Sequence, residues 1–560
     1  MATARAGRER AAAQAIGEAM ALHRQGRLDE AERRYSGVLH DHPDDFDALH
    51  LLGVLKLQRG DPVEALRLIG AALEVRPRSA DALSNYAAVL EALDRRADAL
   101  VHYERALAID PGHVDALYNR GHALQQDGRL EDALACYDKV LAAQPHHVRA
   151  LNNRGVALHR LGRAAEALAS LDRALSFAPD FVEALANRGD QLQDLDRDAE
   201  ALASLDRALA LDPRHVRARN NRGSALVRLG RPADALPDFE AALAVDPQFA
   251  EARLNCAIAQ LMLGQFRTGW ENYEWRSRTR RLAALDRPFA VPRWTGAEPL
   301  AGRTILLHAE QGLGDTIQFV RYAPLVARRG ARVVLEVQAP LRTLMTGLED
   351  VDTVLVRGEP LPPFDLHCPL LSLPFAFGTE VATIPAHVPY LQAPSERIAA
   401  WRDRIAPLPR PRVGLAWSGS PAHRDDRNRS IALARLAPLL AVPDVRFVSL
   451  QTGTRAADRA TLAQLPQVVP LADGFRDFAD TAAVIAQLDL VISVDTAVAH
   501  LAGALGRPVW VLLPFYPDFR WLLGREDSPW YSTARLWRQP RSGDWDSVID
   551  RVRPELARLL

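Results

Sequence analysis

The chain has 560 residues, of which 48% are hydrophobic and 25% are charged, so it is long enough for several domains with their own cores. Its 69 Lys and Arg residues nearly balance its 70 Asp and Glu residues, and the formal net charge is -1. This balance argues against bulk electrostatic binding of nucleic acid, and we expect no nucleic-acid partner.

Nearly all of the positive charge is arginine, because Lys56 and Lys139 are the only lysines. The second half of the chain therefore lacks the lysine that a pyridoxal Schiff base or a Walker-type phosphate loop requires. Cys136, Cys256 and Cys368 match no metal or redox spacing and suit a reducing compartment. The sequence has no apolar run long enough to span a membrane, and its N-terminal Ala-rich segment does not resemble a secretion signal. We predict a soluble, cytoplasmic protein.

The first half of the sequence follows a period of 34 residues. Prolines recur at positions 43, 77, 111, 145, 179, 213 and 247, and alanines at 31, 65, 99, 133, 167, 201 and 235. A small residue allows two helices to pack closely and a proline ends the second one, so each unit is predicted to be a pair of antiparallel helices. The pattern resembles the tetratricopeptide repeat. We predict seven full units and a degenerate eighth within residues 1–279.

Six asparagines recur with the same period. In a tetratricopeptide repeat their position lies on the first helix and faces the concave surface, where amides could hydrogen-bond the backbone of an extended peptide. This arrangement is similar to the asparagine ladder in the repeats of the O-linked N-acetylglucosamine transferases. The alternative is hydrogen bonding between neighbouring repeats. The six residues of this predicted peptide groove are Asn85, Asn119, Asn153, Asn187, Asn221 and Asn255.

Residues 280–300 contain three prolines and no helical period, which predicts a linker. Beyond it, short apolar runs alternate with helix-length segments. They predict two successive Rossmann-like α/β domains, at 301–393 and 394–560, with a cleft between them. A final helix over about 545–559 is expected to cross back against the first of these domains. The predicted strands are residues 304–308, 332–337, 351–356, 412–417, 446–450, 488–493 and 508–513.

The loop after the first predicted strand reads Gln311-Gly-Leu-Gly-Asp315. Gly312 and Gly314 let the backbone approach a ligand, and a helix is predicted from Thr316 to Ala327. Asp315 stands at the start of this helix, facing the predicted cleft. There it could act as general base for an acceptor hydroxyl. The alternative is that Asp315 only caps the helix.

A second polar loop follows the strand predicted at 412–417. Ser418 and Gly419 lie at the strand end and precede Arg424, Arg427 and Arg429. An arginine beside a diphosphate would stabilise the charge that develops on a departing nucleotide. The alternative is a solvated run of paired charges.

A third loop lies between the strands predicted at 488–493 and 508–513. Asp495 and Thr496 stand where a strand ends and a helix begins, and helix N–H groups there suit a phosphate. His500 lies four residues after Thr496 and shares its face. The alternative makes Asp495 or Thr496 an N-cap and His500 a satisfied imidazole. No convincing Asp-x-Asp metal motif occurs at a strand end, so we expect no metal and no other cofactor.

Taken in order, the Asp315 loop, the loop from Trp417 to Ser430 and the Asp495-Thr496 segment with His500 resemble one family. They resemble the two-domain glycosyltransferases related to the ADP-heptose–lipopolysaccharide heptosyltransferases, in the bacterial subgroup fused to tetratricopeptide repeats. Residues 269–276 and 528–531 also look like that subgroup. The resemblance implies a GT-B fold behind an α-solenoid and a metal-independent inverting transfer with Asp315 as base. It implies that the donor diphosphate is held by Asp495, Thr496, Ala497 and His500, with Gln451 as a further nucleotide contact.

The chain departs from the family in two places. Arginine replaces the usual lysine of the donor-phosphate loop, where we choose Arg429, and Ala497 stands where glycine is common. The implied function is transfer of a sugar from a nucleotide-diphosphosugar to a hydroxyl of a protein recruited by the repeats. Two alternatives stay open. One is transfer to a cell-surface glycan or a lipid-linked sugar, and the other is an inactive scaffold whose repeats bind proteins.

Overall fold

The computed structural model describes residues 2–423 and 425–558. The chain divides into two compact units, Met1–Ala218 and Arg219–Leu560. In the part of the chain that is described, no helix combines the length and the apolar character needed to cross a membrane.

The first unit is built from α-helices that pack in consecutive pairs. They are α1 (Ala2–Arg24), α2 (Leu28–Asp41), α3 (Phe46–Gln58), α4 (Pro62–Val75), α5 (Ala80–Ala92), α6 (Arg96–Ile109), α7 (Val114–Gln126), α8 (Leu130–Ala143), α9 (Val148–Arg160), α10 (Ala164–Phe177), α11 (Val182–Asp194) and α12 (Asp198–Leu211), and α13 (Val216–Arg228) continues into the second unit.

The repeated prolines and small residues have the predicted effects. The second helix of each pair ends two residues before its proline, as α2 does at Asp41 before Pro43. The small residues sit where the two helices of a pair touch: a Cβ added at Gly189 would lie 2.5 Å from Cγ of Leu205. Only a small residue fits such a contact without displacing its neighbour. The prediction of paired helices with a 34-residue period is therefore confirmed.

The second unit begins with the last repeat helices and continues as an α/β structure. Its helices are α14 (Pro232–Val245), α15 (Ala250–Met262), α16 (Phe266–Tyr273), α17 (Leu313–Phe319), α18 (Ala323–Ala327), α19 (Arg342–Met345), α20 (Leu373–Ala376), α21 (Ser395–Ile405), α22 (Asp426–Arg429), α23 (Ala437–Leu440), α24 (Ala456–Leu462), α25 (Phe478–Ile485), α26 (Ala497–Ala504) and α27 (Trp545–Ala557).

Its strands form two parallel sheets. They are β1 (Thr304–His308), β2 (Arg332–Val337), β3 (Thr353–Val356), β4 (Leu366–Pro369), β5 (Arg412–Ala416), β6 (Arg446–Ser449), β7 (Val468–Pro470), β8 (Leu490–Val494), β9 (Val509–Leu513) and β10 (Ala534–Arg538). The first sheet has the order β3-β2-β1-β4 and the second β10-β9-β8-β5-β6-β7. In the first sheet Leu307 stands opposite Leu335 on one side and Cys368 on the other.

The predicted strands correspond to β1, β2, β3, β5, β6, β8 and β9, whereas β4, β7 and β10 were missed. All three lie at sheet edges. Edge strands tolerate proline and charge because one side of the strand makes no ladder hydrogen bonds. Pro369 ends β4, Pro470 ends β7, and β10 carries Arg535 and Arg538, so these segments lack a continuous apolar pattern.

Two helix predictions need correction. The helix predicted from Thr316 to Ala327 is broken into α17, a 3-10 turn over Val320–Tyr322 and α18. The break precedes Pro324, whose ring and missing N–H disfavour a continuous helix. The expectation that the final helix crosses back against the first α/β half is wrong. Val548, Ile549 and Val552 of α27 belong to the core of the six-stranded sheet; the predicted end at 559 lies outside the described residues.

The segment 280–300 packs along the edge of the four-stranded sheet. Arg293 forms a parallel bridge with His367 of β4, and the backbone N–H of Trp294 donates to the His367 carbonyl at 2.8 Å. The Trp294 side chain is fully buried. The segment therefore protects an edge strand, which is a common way of blocking unwanted strand pairing.

Candidate functional site

The loops that follow β1 and β8 are in direct contact. A Cβ added at Gly314 would lie 2.9 Å from Cδ2 of His500 and 3.5 Å from Cα of Ala497. Both loops lie at the carboxyl ends of parallel strands, where open α/β sheets bind ligands. The contact brings Asp315 of the four-stranded sheet next to the beginning of α26 of the six-stranded sheet.

Both oxygens of the Asp315 carboxylate are held by N–H donors. Oδ2 accepts a hydrogen bond from the backbone N–H of Gly312 at 2.7 Å, which is the helix-capping contact of the alternative interpretation. Oδ1 is paired with Nη2 of Arg520. The Asp315 side chain is 18% exposed, so it lies at the edge of the solvent. The carboxylate is thus both a cap for α17 and one half of a long-range ion pair.

Arg520 lies in the loop after β9, on the 3-10 turn Phe519–Trp521. Its Nη1 donates to Oδ1 of Asp518 at 2.8 Å, and its backbone N–H donates to the same oxygen at 3.0 Å. Burial acts to raise the pKa of Asp518, but the Arg520 guanidinium outweighs burial and holds that pKa below its usual range. Arg520 therefore pairs with two carboxyl groups, that of Asp315 at the four-stranded sheet and that of Asp518 in its own turn.

A further largely buried carboxyl group, that of Asp495, lies two residues before α26. The Asp495 side chain is 13% exposed, and burial, together with the nearby charge of Asp518, raises the pKa of Asp495 to about 6. Thr496 is the N-cap residue, but its side chain does not cap α26; its hydroxyl lies 3.1 Å from that of Ser493. The first backbone N–H groups of α26 are therefore not satisfied by the N-cap side chain.

His500 is held on three sides. Its ring stacks on Trp521 with centroids 5.3 Å apart, and its Nδ1 is 3.0 Å from the Tyr531 hydroxyl. Its Nε2 is 3.7 Å from Oδ1 of Asp495. Burial, assisted by the charge of Arg520, lowers the pKa of His500 to about 3. At neutral pH the ring is uncharged, so it can donate a hydrogen bond to a ligand but adds no positive charge.

The loop after β5 is folded around Gln451 and Arg429. Oε1 of Gln451 accepts the backbone N–H of Ser418 at 2.9 Å, so this side chain shapes the loop from inside. A Cβ at Gly419 would lie 2.5 Å from Nη2 of Arg429, and Nη1 of Arg429 donates to the Asp495 carbonyl at 3.0 Å. Ser418, Gly419 and Arg429 thereby join the beginning of α26.

The other charged residues of this loop lie on or next to α22. Arg427 is exposed on α22, two residues before Arg429, and Arg424 lies outside the described residues. Asp426 is buried and pairs with Arg455, which lies outside this loop, so the contact is not one of the internal pairs of a solvated run that the alternative predicts. The loop therefore combines one arginine at α26 with charges that hold the loop itself.

An aromatic cluster connects the eighth repeat to this site. Trp270 of α16 makes edge-to-face contacts with Phe319 of α17 at 5.9 Å and with Phe519 at 5.7 Å. Phe266, one turn earlier, stacks on Trp530 at 6.2 Å. Phe266, Trp270 and Trp530 are buried. The aromatic segments 269–276 and 528–531 thus meet around the Asp315 helix and the Arg520 turn.

A buried arginine adds a polar contact to the same connection. Nε of Arg276, just after α16, donates to Glu310 at 2.7 Å, and its Nη2 donates to Ser372 at 2.6 Å. Glu310 belongs to the loop that leads to Asp315. The eighth repeat therefore supports the Asp315 loop directly.

Sequence reasoning missed Asp518, Arg520, Trp521 and Tyr531. A usable signal exists in the segment 515–521, Phe-Tyr-Pro-Asp-Phe-Arg-Trp, which follows the strand β9. It places an acid and a base two residues apart among four aromatic residues at a strand end, where ligand loops occur.

The repeated asparagines are half-buried, and Asn85, Asn153, Asn187 and Asn255 each bond to the preceding repeat. Nδ2 of Asn187 donates to Asn152 at 2.9 Å, and Nδ2 of Asn153 donates to the Tyr118 hydroxyl at 3.2 Å. Asn85 lies 2.9 Å from Nε2 of His50. In the second unit, Asn255 donates to Asn220 at 2.9 Å and Asn220 to Asn221 at 3.1 Å. These contacts are of the kind that the alternative predicts, and the peptide groove stays a prediction.

Potential metal ligands do not cluster in the described part of the chain. No group of three or more His, Cys, Asp or Glu residues there has a geometry that could hold a metal ion.

Known family models match segments in both parts of the chain. Residues 16–69, 50–114 and 118–180 match one tetratricopeptide repeat family, and residues 191–275 match another. Residues 449–512 match glycosyltransferase family 9 (heptosyltransferase). The family 9 match begins in β6 and ends in β9, so it contains Asp495 and the whole of α26. The chain therefore carries a tetratricopeptide helical solenoid followed by a parallel-sheet α/β region with a glycosyltransferase match.

Individual proteins that are similar to this chain share less than a third of their residues with it. Protein FlbA of Caulobacter vibrioides (strain ATCC 19089 / CIP 103742 / CB 15) is 29% identical over 319 residues, which cover 52% of this chain and 52% of FlbA. The chain thus matches about half the length of this curated relative. A tetratricopeptide repeat protein from Parabacteroides merdae ATCC 43184 is 21% identical, with TM-score 0.37, over 45% of this chain and 99% of its own. MamA is 25% identical, with TM-score 0.27, over 29% and 94%.

Proposed function

We propose that the chain is a metal-independent inverting glycosyltransferase of GT-B architecture. It moves a sugar from a nucleotide-diphosphosugar to a hydroxyl on a protein recruited by the repeats. The family 9 match at residues 449–512 supports the reaction class. The observation that carries the proposal is the contact between the Asp315 loop and α26, because it offers a carboxylate base and a helix start at one site.

The donor side of the proposed site is the beginning of α26. Its N-terminal N–H groups and the positive end of its dipole favour a diphosphate. Arg429, fixed on the Asp495 carbonyl at 3.0 Å, adds a permanent positive charge. His500 is uncharged at neutral pH and contributes a neutral hydrogen bond. The charge of a departing nucleoside diphosphate is then stabilised by a cation and by backbone dipoles.

The acceptor side is the Asp315 loop. The acceptor oxygen attacks the anomeric carbon from the face opposite the diphosphate, and its proton passes to Asp315. The new bond joins the acceptor oxygen to the anomeric carbon, while the bond from that carbon to the diphosphate oxygen breaks and its electron pair leaves with the nucleotide. A single displacement of this kind inverts the anomeric centre.

The repeats would supply the acceptor. Tetratricopeptide repeats suggest protein binding, and the periodic asparagines are half-buried amides on the first helix of each pair, a type of side chain that can hydrogen-bond a peptide backbone. A cell-surface glycan or lipid-linked sugar would instead be modified without involving these asparagines.

The proposal is tested first by donor binding. A panel of nucleoside diphosphates and their sugars is screened by thermal shift, with a chelator present throughout. A ligand at a hundred times its dissociation constant stabilises the folded state by about 2.7 kcal/mol. If no member of the panel raises the melting temperature, the scaffold alternative is favoured and the proposed transfer is not.

The second test removes the base. Asp315→Asn is expected to keep donor binding and to lose about 10²- to 10⁴-fold in turnover, the usual contribution of a general base. Asp403→Asn is the matched control, since Asp403 is exposed on α21 and should leave turnover unchanged. Equal turnover in the Asp315→Asn variant and the wild type would refute the role of Asp315.

A further inference from the structure

We propose that Arg520 is a positioning residue for the transfer: it holds the Asp315 carboxylate in place from the opposite side of the site. The inference rests on the proposed function and adds to it a residue outside the family 9 match at 449–512. Arg520 and Asp315 are 205 positions apart in sequence. Asp315 lies in the first turn of α17, after β1 of the four-stranded sheet, and Arg520 lies in the turn after β9 of the six-stranded sheet.

Arg520 is itself held rigidly. Its side chain is 7% exposed, and Asp518 binds both its Nη1 and its backbone N–H. Its guanidinium also lies over the rings of Phe519 at 4.5 Å and Phe319 at 5.4 Å. A planar guanidinium with two carboxylates and two aromatic faces around it has little freedom to reorient. The position of Asp315 is therefore defined by a preorganised donor.

The same turn also fixes the donor side. Trp521 follows Arg520 directly, and its ring stacks on His500 of α26. One short turn thus holds the proposed base through Arg520 and the beginning of α26 through Trp521. The separation between base and donor is then determined by three consecutive residues, Phe519 to Trp521, and proton transfer is sensitive to such a separation.

The contacts of the Asp315 carboxylate still allow it to accept a proton. Each oxygen of a carboxylate has two lone pairs, and Asp315 uses one contact on each: Gly312 on Oδ2 and Arg520 on Oδ1. A remaining lone pair can accept the proton of the acceptor hydroxyl. Arg520 itself takes up no proton and contacts no reacting atom in this account, so its effect passes entirely through Asp315.

Three variants test the inference: Arg520→Gln, Arg520→Lys and Asp518→Asn. Arg525→Gln is the matched control, because Arg525 lies in the same loop and pairs with the exposed Asp527. Each variant is measured for kcat, for the KM of the donor and for folding by tryptophan fluorescence. In the ligand-free chain, Asp315 is also labelled with a carbodiimide and an amine at one fixed pH, and the label is located by mass spectrometry.

We expect Arg520→Gln to lower kcat on the order of 100-fold while the donor KM changes little, because a misplaced base slows chemistry without weakening donor binding. Arg520→Lys should recover part of kcat, since an ammonium can still pair with Asp315. Asp518→Asn should give an intermediate loss. Labelling of Asp315 should rise in Arg520→Gln and stay at the wild-type level in Arg525→Gln.

Different outcomes would refute the positioning role of Arg520 and the proposed glycosyltransferase function. Unchanged labelling of Asp315 in a folded Arg520→Gln variant overturns the inference, and so does an unchanged kcat in an active enzyme. If Arg520→Gln does not fold, the same criteria apply to Arg520→Lys and Asp518→Asn. If the wild type turns over no donor while labelling still rises in Arg520→Gln, the transfer role falls with the proposed function, and the ion pair alone stands.

Discussion

Replacing Trp270 by alanine is expected to destabilise the second unit strongly. Trp270 is 1% exposed and its ring makes edge-to-face contacts with Phe266, Tyr273, Phe319 and Phe519 at 5.7 to 5.9 Å. Truncating a buried Trp to Ala costs about 3–5 kcal/mol. Aromatic pairs add about 0.5–1.5 kcal/mol each beyond burial, so we place this variant near the upper end, at about 5 kcal/mol.

The assay uses an asymmetry in composition. All ten tryptophans lie at Trp270 or later, within the second unit. Tryptophan fluorescence therefore follows unfolding of the second unit in urea, while far-UV circular dichroism also follows the repeat helices of the first. With a denaturant slope of about 3 kcal/mol per M, a loss of about 5 kcal/mol lowers the fluorescence midpoint by about 1.7 M.

Trp270→Phe is the matched control. The Trp270 Nε1 is buried without a hydrogen-bond partner in the described part of the chain, and an unpaired buried N–H costs about 1–3 kcal/mol. Phenylalanine removes that cost while it loses some volume, so its loss should be less than half that of alanine. A free energy of unfolding in Trp270→Ala within about 1 kcal/mol of the wild-type value, measured by fluorescence, would contradict this packing of Trp270.

Two further predictions concern a titrating group and the repeats. The folded-state pKa of Asp495 is raised to about 6, so its contribution to stability is present at low pH and is lost as pH rises toward 6. The stability of Asp495→Asn relative to the wild type should therefore increase by about 2–3 kcal/mol between pH 4 and pH 7, as measured by urea unfolding. A difference that stays constant over this range would contradict the raised pKa. For the repeats, Asn119→Ala should lower the transfer of labelled sugar to protein acceptors while donor turnover stays unchanged. Asn152→Ala removes the acceptor used by Asn187 and should instead cost about 1 kcal/mol in helical stability. Equal transfer to protein in Asn119→Ala and the wild type would argue against the peptide groove.

Local and periodic signals made much of the fold predictable. The repeated prolines end helices by a property of the residue itself, and the repeated small residues mark close helix contacts such as Gly189 with Leu205. The strands β8 and β9 are buried along their whole length, so an apolar run indicates them. Edge strands such as β10 mix charged and apolar residues and give no such signal.

The candidate site was predictable in part, for a related reason. Carboxyl ends of parallel strands gather ligand loops, and that rule points to Asp315 and to the beginning of α26 without any knowledge of contacts. The pairing of Asp315 with Arg520 and the stacking of Phe266 on Trp530 join residues more than 200 positions apart. No local pattern encodes such a pairing, because it depends on how the two sheets and the eighth repeat pack together.

The aromatic cluster also explains how the helical array can end. A stack of repeats leaves an apolar face on its terminal hairpin, and most arrays cover that face with a polar capping helix. Here Phe266 and Trp270 of α16 pack against aromatic residues of the α/β structure instead, so the α/β region covers the last repeat. A recombinant fragment cut near residue 280 would expose this face on the repeat side and remove a wall from the Asp315 loop on the other. Neither half is then a good candidate for separate expression, and a swap of repeats between related chains should keep α15 and α16 with the α/β region.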